Sequence, residues 1–312
     1  MSTLGGLAGS QYYLCRSTDD VAYYGRDAEL LRLDRVLPGV DTIAEVLGST
    51  DALDPTAFDE LPTVPRTHIE LGRPLGDAGK RFGIGLNYAA HAADLDEERP
   101  AEPASFFKPA TAVTGPRGPI RLPDPAISER VTAEAELAVV IGRTCRDVGV
   151  ADAPGVIAGY MPVIDMTAED VLAENPRYLT RSKSFDSFLV LGDRITVLPP
   201  STDLDPVTVR TRIDGEIIAE NTVEHMLYGP HELVAFHSRM MTLEAGDLIS
   251  TGTPGAGVIA PGAVVTAEVA GVGSPRPPGV AQQPTEGCPL SWRPHYQTQR
   301  RPSARPRPAS TP

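Results

Sequence analysis

Short apolar runs separated by turn residues dominate the chain from Phe82 onward: Phe82–Leu86, Leu137–Ile141, Val156–Ile164, Phe188–Leu191, Val207–Ile213 and Val264–Val272. Runs of this length, rich in Val and Ile and bounded by Gly, Pro and Asp, predict strands. Asp214-Gly215 separates two such runs and predicts a two-residue hairpin turn, because Gly accepts the positive φ such turns demand. A helix is predicted over His231–Met241, entered at Pro230 and apolar at Leu233, Val234 and Phe236. The residues up to about Leu75 are weakly patterned, with one helix signal near Thr42–Leu47 and proline-rich connections at Pro62 and Pro65. The predicted class is α+β and strand-dominated, with helices decorating the strands.

Within one run, Glu134 and Glu136 stand one residue apart, and Asp165 ends another apolar run about thirty residues later. Side chains at i and i+2 of a strand share a face, so the two glutamates point the same way while Ala135 points oppositely. Three carboxylates converging there would suit a hard divalent cation such as Mg²⁺ or Mn²⁺ rather than zinc, which prefers nitrogen and sulfur. On spacing alone, a solvated strand edge with its charges turned outward is the commoner outcome.

A chain of 312 residues with 41% hydrophobic content can bury a large core. The formal charge of −13 argues against nucleic acid and anionic membranes as partners, since phosphate rewards Lys and Arg. Cys15, Cys145 and Cys288 are odd in number and widely separated, which indicates neither a disulfide framework nor a zinc cluster. Neither a basic start followed by a long apolar run nor a later stretch of about 18 apolar residues is found, and a soluble, cytoplasmic protein is expected. After Gly273 the composition changes: Ser274–Pro312 holds ten prolines and six arginines against one acid, Glu286, and carries +5. This composition cannot bury a core and predicts disorder.

The segments from about Arg81 to Gly273 resemble the fumarylacetoacetate hydrolase family in five motifs taken in order. They are Gly85-Leu86-Asn87-Tyr88-Ala89-Ala90-His91, Phe106-Phe107-Lys108-Pro109, Glu134 to Gly142, Lys183 to Phe188, and Leu243 to Pro254. The resemblance implies a mixed β-sandwich roll at residues 76–273, a small N-terminal domain at 1–75 and, beyond the family pattern, a tail at 274–312. It also implies a Mg²⁺ or Mn²⁺ ion on Glu134, Glu136 and Asp165, and a homodimer. Lys183 is expected beside the metal, where an ammonium holds a developing enolate or a substrate carboxylate. His91 and Asp94 are expected on a lid, activating water or delivering a proton. Gly252 and Thr253 are expected at the substrate carboxylate, and Lys108 near the pocket mouth. Taken on their own residues, Lys183 would be an ordinary surface lysine, His91 a histidine on a solvated helix, and Thr251-Gly252-Thr253-Pro254 a strand-ending turn.

The chain departs from the family pattern at four places. The lid acid is Asp94 rather than Glu. Glu169 stands where relatives have Arg, and it and Asp170 are expected at a helix N-terminus or in a solvated loop. Ala263 replaces an Asp, and the family's final strand is missing, so that the tail is either a lineage-specific extension or an out-of-frame 3′ end. The expected activity is metal-dependent cleavage of a carbon–carbon bond in a small anionic 2,4-dioxo acid of the acylpyruvate type, or decarboxylation of an oxaloacetate-like acid. An isomerase of a 2-hydroxydienoate or 2-oxo acid is the main alternative, and a metal-binding paralogue without turnover is the rival from outside enzymology.

Overall fold

Eleven buried residues in succession, Val131–Ile141, form one of the two longest strands, and Ile157–Ala168 forms the other; they pair antiparallel. They lie at the heart of a computed structural model that describes residues 11–77, 79–89, 100–273 and 279–282. In chain order the strands are β1 (Tyr12–Arg16), β2 (Ala22–Arg26), β3 (Glu29–Arg32), β4 (Val64–Pro65), β5 (Arg81–Gly85), β6 (Ala104–Phe107), β7 (Val113–Thr114), β8 (Ile120–Arg121) and β9 (Val131–Ile141). They continue as β10 (Ile157–Ala168), β11 (Leu189–Leu191), β12 (Arg194–Val197), β13 (Thr208–Ile213), β14 (Glu216–Thr222), β15 (Leu248–Ser250), β16 (Ala256–Ile259), β17 (Val264–Val269) and β18 (Gly279–Gln282).

The larger sheet runs β4-β3-β2-β1-β12-β10-β9-β15-β5-β6, with β11 also on β10, β16 also on β9, and β7 beside β11. The second sheet runs β14-β13-β17-β18-β8. Because side chains alternate along β9, one face sends Ala133, Ala135, Leu137, Val139 and Ile141 into a core shared with Val209, Val265, Ala267 and Val269 of the second sheet. Ala138 and Val140 leave by the other face and pack with Met161, Val163, Leu14, Tyr24, Ile43 and Val46. The strand-dominated sandwich expected from the sequence is the observed one. The N-terminal residues share a sheet with the rest through the antiparallel β1–β12 pairing.

The local signals have the predicted outcomes. Asp214 and Gly215 have φ of 52° and 86° and close the β13–β14 hairpin, as a two-residue turn with two positive φ angles requires. Pro230 opens the helix Pro230–Met240, whose first turn is tied by the Gly229 N–H donating to Glu232 Oε2 at 2.7 Å. Ile43–Val46 is helical behind Thr42, whose N–H donates to Glu45 at 2.9 Å. One expectation is corrected. Within the proline- and arginine-rich tail, Gly279–Gln282 form a strand between β17 and β8, with Val280 opposite Val264 and Ala281 opposite Ile120. Disorder therefore does not extend to these four residues. Among the described residues no helix is long and apolar enough to cross a membrane.

Candidate metal centre and active site

Strand register brings the carboxylates together. In the antiparallel β9–β10 pair, Asp165 lies opposite Glu134 and Val163 opposite Glu136, so all three acids emerge from one face. One carboxylate oxygen from each lies within 4.8 Å of the others. Glu134, Glu136 and Asp165 are 7%, 1% and 0% exposed, which excludes the outward-turned strand edge. Charges buried this deeply persist only with hydrogen-bonding partners.

Those partners are in place. Glu136 Oε2 accepts from the Gly252 N–H at 2.9 Å and from the Ser250 hydroxyl. Glu134 Oε1 accepts from Thr167 Oγ1 at 2.7 Å. Lys183, at the end of the helix Leu179–Lys183, donates from Nζ to Glu134 Oε2 at 2.9 Å and Asp165 Oδ2 at 3.2 Å. Its ammonium also lies 5.0 Å from the centre of the Phe106 ring, a favourable site for a cation. Lys108 is buried behind Asp165 rather than standing at a pocket mouth. Its Nζ lies 2.5 Å from Asp165 Oδ1 and donates to the carbonyls of Lys183 (2.7 Å), Phe188 (2.8 Å) and Met166 (3.2 Å).

Three carboxylates face two ammonium groups. Burial, joined by Asp165 and Glu134, pushes the Glu136 carboxyl up to about 8. Burial works against the charge of Lys183, but Asp165, Glu134 and Glu136 outweigh it and hold the ammonium above the usual lysine value. For Lys108 burial prevails over the attraction of Asp165, and its pKa is lowered. The all-oxygen donor set and the convergence on one face fit a divalent cation such as Mg²⁺ or Mn²⁺, which Glu134, Glu136 and Asp165 would hold.

The loop after β15 completes the floor. Gly252 has φ of +97°, and a Cβ there would lie 2.8 Å from Asn87 Cβ and 3.0 Å from Ile84 O, so glycine alone lets the chain approach this closely. Asn87 fixes the same loop by donating to Thr251 O at 2.7 Å and Tyr228 O at 2.9 Å. Thr253 is buried, and its hydroxyl donates to Gly255 O at 2.8 Å. Glu169 and Asp170 take up the first turn of the helix Glu169–Glu174. Asp170 accepts from Ser128 Oγ at 2.6 Å and Glu129 N at 2.8 Å. His91 and Asp94 lie outside the described residues.

Four site residues escaped the sequence reading. Ser250 occupies a variable position of the Leu243–Pro254 motif, Thr167 follows Asp165 by two residues and so shares its face, and Asn87 sits inside the first motif without an assigned role. Tyr88 is the fourth: its hydroxyl is buried without a hydrogen-bond partner among the described residues, and burial together with Glu136 raises its pKa.

Comparison with known proteins places the chain in a family. The model for the fumarylacetoacetate (FAA) hydrolase C-terminal domain matches residues 80–277. A 4-hydroxyphenylacetate degradation bifunctional isomerase/decarboxylase of Escherichia coli is 36% identical over 226 residues, 72% of this chain and 49% of that protein. The crystal structure of 5-carboxymethyl-2-hydroxymuconate delta-isomerase from Mycobacterium smegmatis matches with a TM-score of 0.68 at 31% identity, covering 88% of this chain and 99% of that one. Maleylpyruvate hydrolase from Sphingobium sp. SYK-6, solved with manganese(II) and pyruvate, matches with a TM-score of 0.73 at 25% identity over 87% and 99%. The matched span contains all three carboxylates, both lysines and the Gly252 loop, and the chain belongs to the fumarylacetoacetate hydrolase family.

Proposed function

We propose that this protein is a divalent-metal-dependent enzyme that hydrolyses a carbon–carbon bond in a 2,4-dioxo acid of the acylpyruvate type. The observation that carries the reading is the buried cluster of Glu134, Glu136 and Asp165, with Lys183 donating to two of the three. When bound, Mg²⁺ or Mn²⁺ supplies Lewis-acid polarisation of the 2-oxo group and a docking point for the adjacent carboxylate. Lys183 stands where an ammonium can neutralise the negative charge that develops on the enolate oxygen as the bond breaks. His91, oriented by Asp94, is assigned the activation of the water that adds to the 4-oxo carbon, releasing a carboxylic acid and pyruvate. The backbone at Gly252 and Thr253 is assigned to the substrate carboxylate. Lys108 acts behind Asp165 as a positioning residue. The working form is taken to be a cytoplasmic homodimer that binds a small anionic 2-oxo acid and neither nucleic acid nor membrane. Decarboxylation of an oxaloacetate-like acid uses the same enolate stabilisation without water.

A second reading, isomerisation of a 2-hydroxydienoate, is supported by the likeness to the bifunctional isomerase/decarboxylase, 36% identical, and to the delta-isomerase, 31% identical. It requires proton transfer alone. Proton NMR in deuterated water, with acetylpyruvate, oxaloacetate and a 2-hydroxydienoate, each with Mg²⁺ and with chelator, separates the readings. Metal-dependent acetate and pyruvate from acetylpyruvate support hydrolysis; isomer conversion or deuterium uptake without cleavage supports isomerisation. Tight metal binding with no change in any of the three sinks both.

A further inference from the structure

The face of β9 that carries the metal ligands continues outward past Glu134. Thr132 lies two residues along, about 7 Å at the usual strand rise, and Arg130 stands immediately before the strand begins. Their neighbours keep the same alternation: Ala256 is opposite Glu134, while Val258 and Thr167 are opposite Thr132. Above this stretch lies an open cavity of about 470 Å³, lined by Arg130, Thr132, Glu169, Ile218, Ala256 and Val258 among others. A substrate anchored at the carboxylate cluster would lay the far end of its chain here.

The charges in the cavity are spoken for. Arg130 Nε lies 2.6 Å from Glu169 Oε2, and Glu220, which also lines the cavity, is paired with Arg210. Around them Ile218 and Val258, 43% and 47% exposed, offer apolar surface. An incoming carboxylate would meet two acids and would have to displace Glu169 from Arg130, which is selection by repulsion as much as by fit. We infer that the preferred substrate is a 2-oxo acid with an uncharged tail, and that Glu169 enforces this by occupying Arg130. The inference rests on the 2-oxo acid reading and adds the class of tail.

The test is isothermal titration calorimetry of the full-length Mg²⁺-loaded protein with two probes of equal length, 2-oxooctanoate and 2-oxosuberate, which lack the 4-oxo group and are not cleaved. The native protein is expected to bind 2-oxooctanoate at least about tenfold more tightly, a ratio within reach of one charge-assisted hydrogen bond. Glu169→Gln, which keeps the side-chain shape, is expected to shift the ratio about tenfold towards 2-oxosuberate. Adding Arg130→Gln to that variant should cancel the shift, since the two residues act as a pair. A native preference for 2-oxosuberate, or an unchanged ratio in Glu169→Gln, overturns the inference and leaves the 2-oxo acid reading standing. Failure of both probes to bind in a Mg²⁺-dependent way overturns that reading and the inference with it.

Discussion

From Thr132 to Leu137 the two faces of β9 are both buried and chemically opposite, before Ala138 and Val140 return the second face to apolar packing. Ala133, Ala135, Leu137 and Val139 enter a core where only shape and volume matter. Thr132, Glu134 and Glu136, on the alternate positions, have the same low exposure yet place two carboxylates where burial of a charge costs several kcal/mol or more. Burial therefore does not distinguish a core face from a site face. The supply of donors does: Ser250, Gly252, Thr167, Lys183 and Lys108 all converge on the polar face, and the apolar face needs none. A single strand can carry both because its side-chain period of two keeps the sets apart.

The largest expected break in this comparison comes from Glu134→Gln. It preserves size and removes the charge, so Mn²⁺ binding, followed by calorimetry, should weaken by more than about a hundredfold, exceeding the effect typical of residues that merely support a ligand. Unchanged Mn²⁺ affinity would remove Glu134 from the metal set. Next in size is Lys108→Met, which leaves Asp165 one ammonium short in a buried setting and strips a donor from three carbonyls. Removing one partner of a buried pair costs about 3–5 kcal/mol, measurable as a lower urea midpoint. If the midpoint does not move, Lys183 alone compensates Asp165, and the positioning role is lost. On the opposite face, Leu137→Ala removes a fully buried side chain and should cost about 3 kcal/mol while leaving Mn²⁺ affinity within about twofold. A comparable loss of affinity would mean that the two faces are coupled through the strand.

What could be read in advance follows the same division. Glu134, Glu136, Asp165 and Lys183 were legible because strand alternation and short motifs are local properties, and the convergence of the three carboxylates needed only the pairing of β9 with β10. Lys108 was misplaced because its role is set by carbonyls 58 to 80 positions away, a separation that no local spacing encodes. Ser250 reaches Glu136 across 114 positions for the same reason. β1 has no clean alternation, since Leu14 packs into one apolar cluster and Tyr13 and Cys15 into another, and its β12 partner lies some 180 residues downstream. In the tail, a composition averaged over many prolines and arginines concealed Gly-Val-Ala-Gln at 279–282, whose strand character is supplied by Val264 and Ile120. Non-local pairing is where local propensity gives least guidance.

The smallest expected effect concerns a histidine packed into the apolar core. His237 is fully buried, with its ring centroid 5.2 Å from that of Phe82; Nδ1 lies 2.7 Å from Leu233 O, and Nε2 has no hydrogen-bond partner among the described residues. Burial lowers its pKa, and the Leu233 carbonyl only partly opposes this. The unfolded chain takes up a proton below the ordinary histidine value of about 6.5, whereas the folded one does not until a lower pH. The unfolded state then binds more protons, so stability falls as pH drops through that window, by up to about 1.4 kcal/mol per pH unit from this group. His237→Leu keeps an apolar side chain there and gives up one hydrogen bond, so it should be slightly less stable at pH 7.5 and converge with the native protein towards pH 5. Parallel urea-midpoint profiles for the two proteins would mean that His237 titrates in the fold as it does in the open chain. The apolar face would then tolerate a buried charge that, by the contrast with Glu134 and Glu136, it has no donors or acceptors to support.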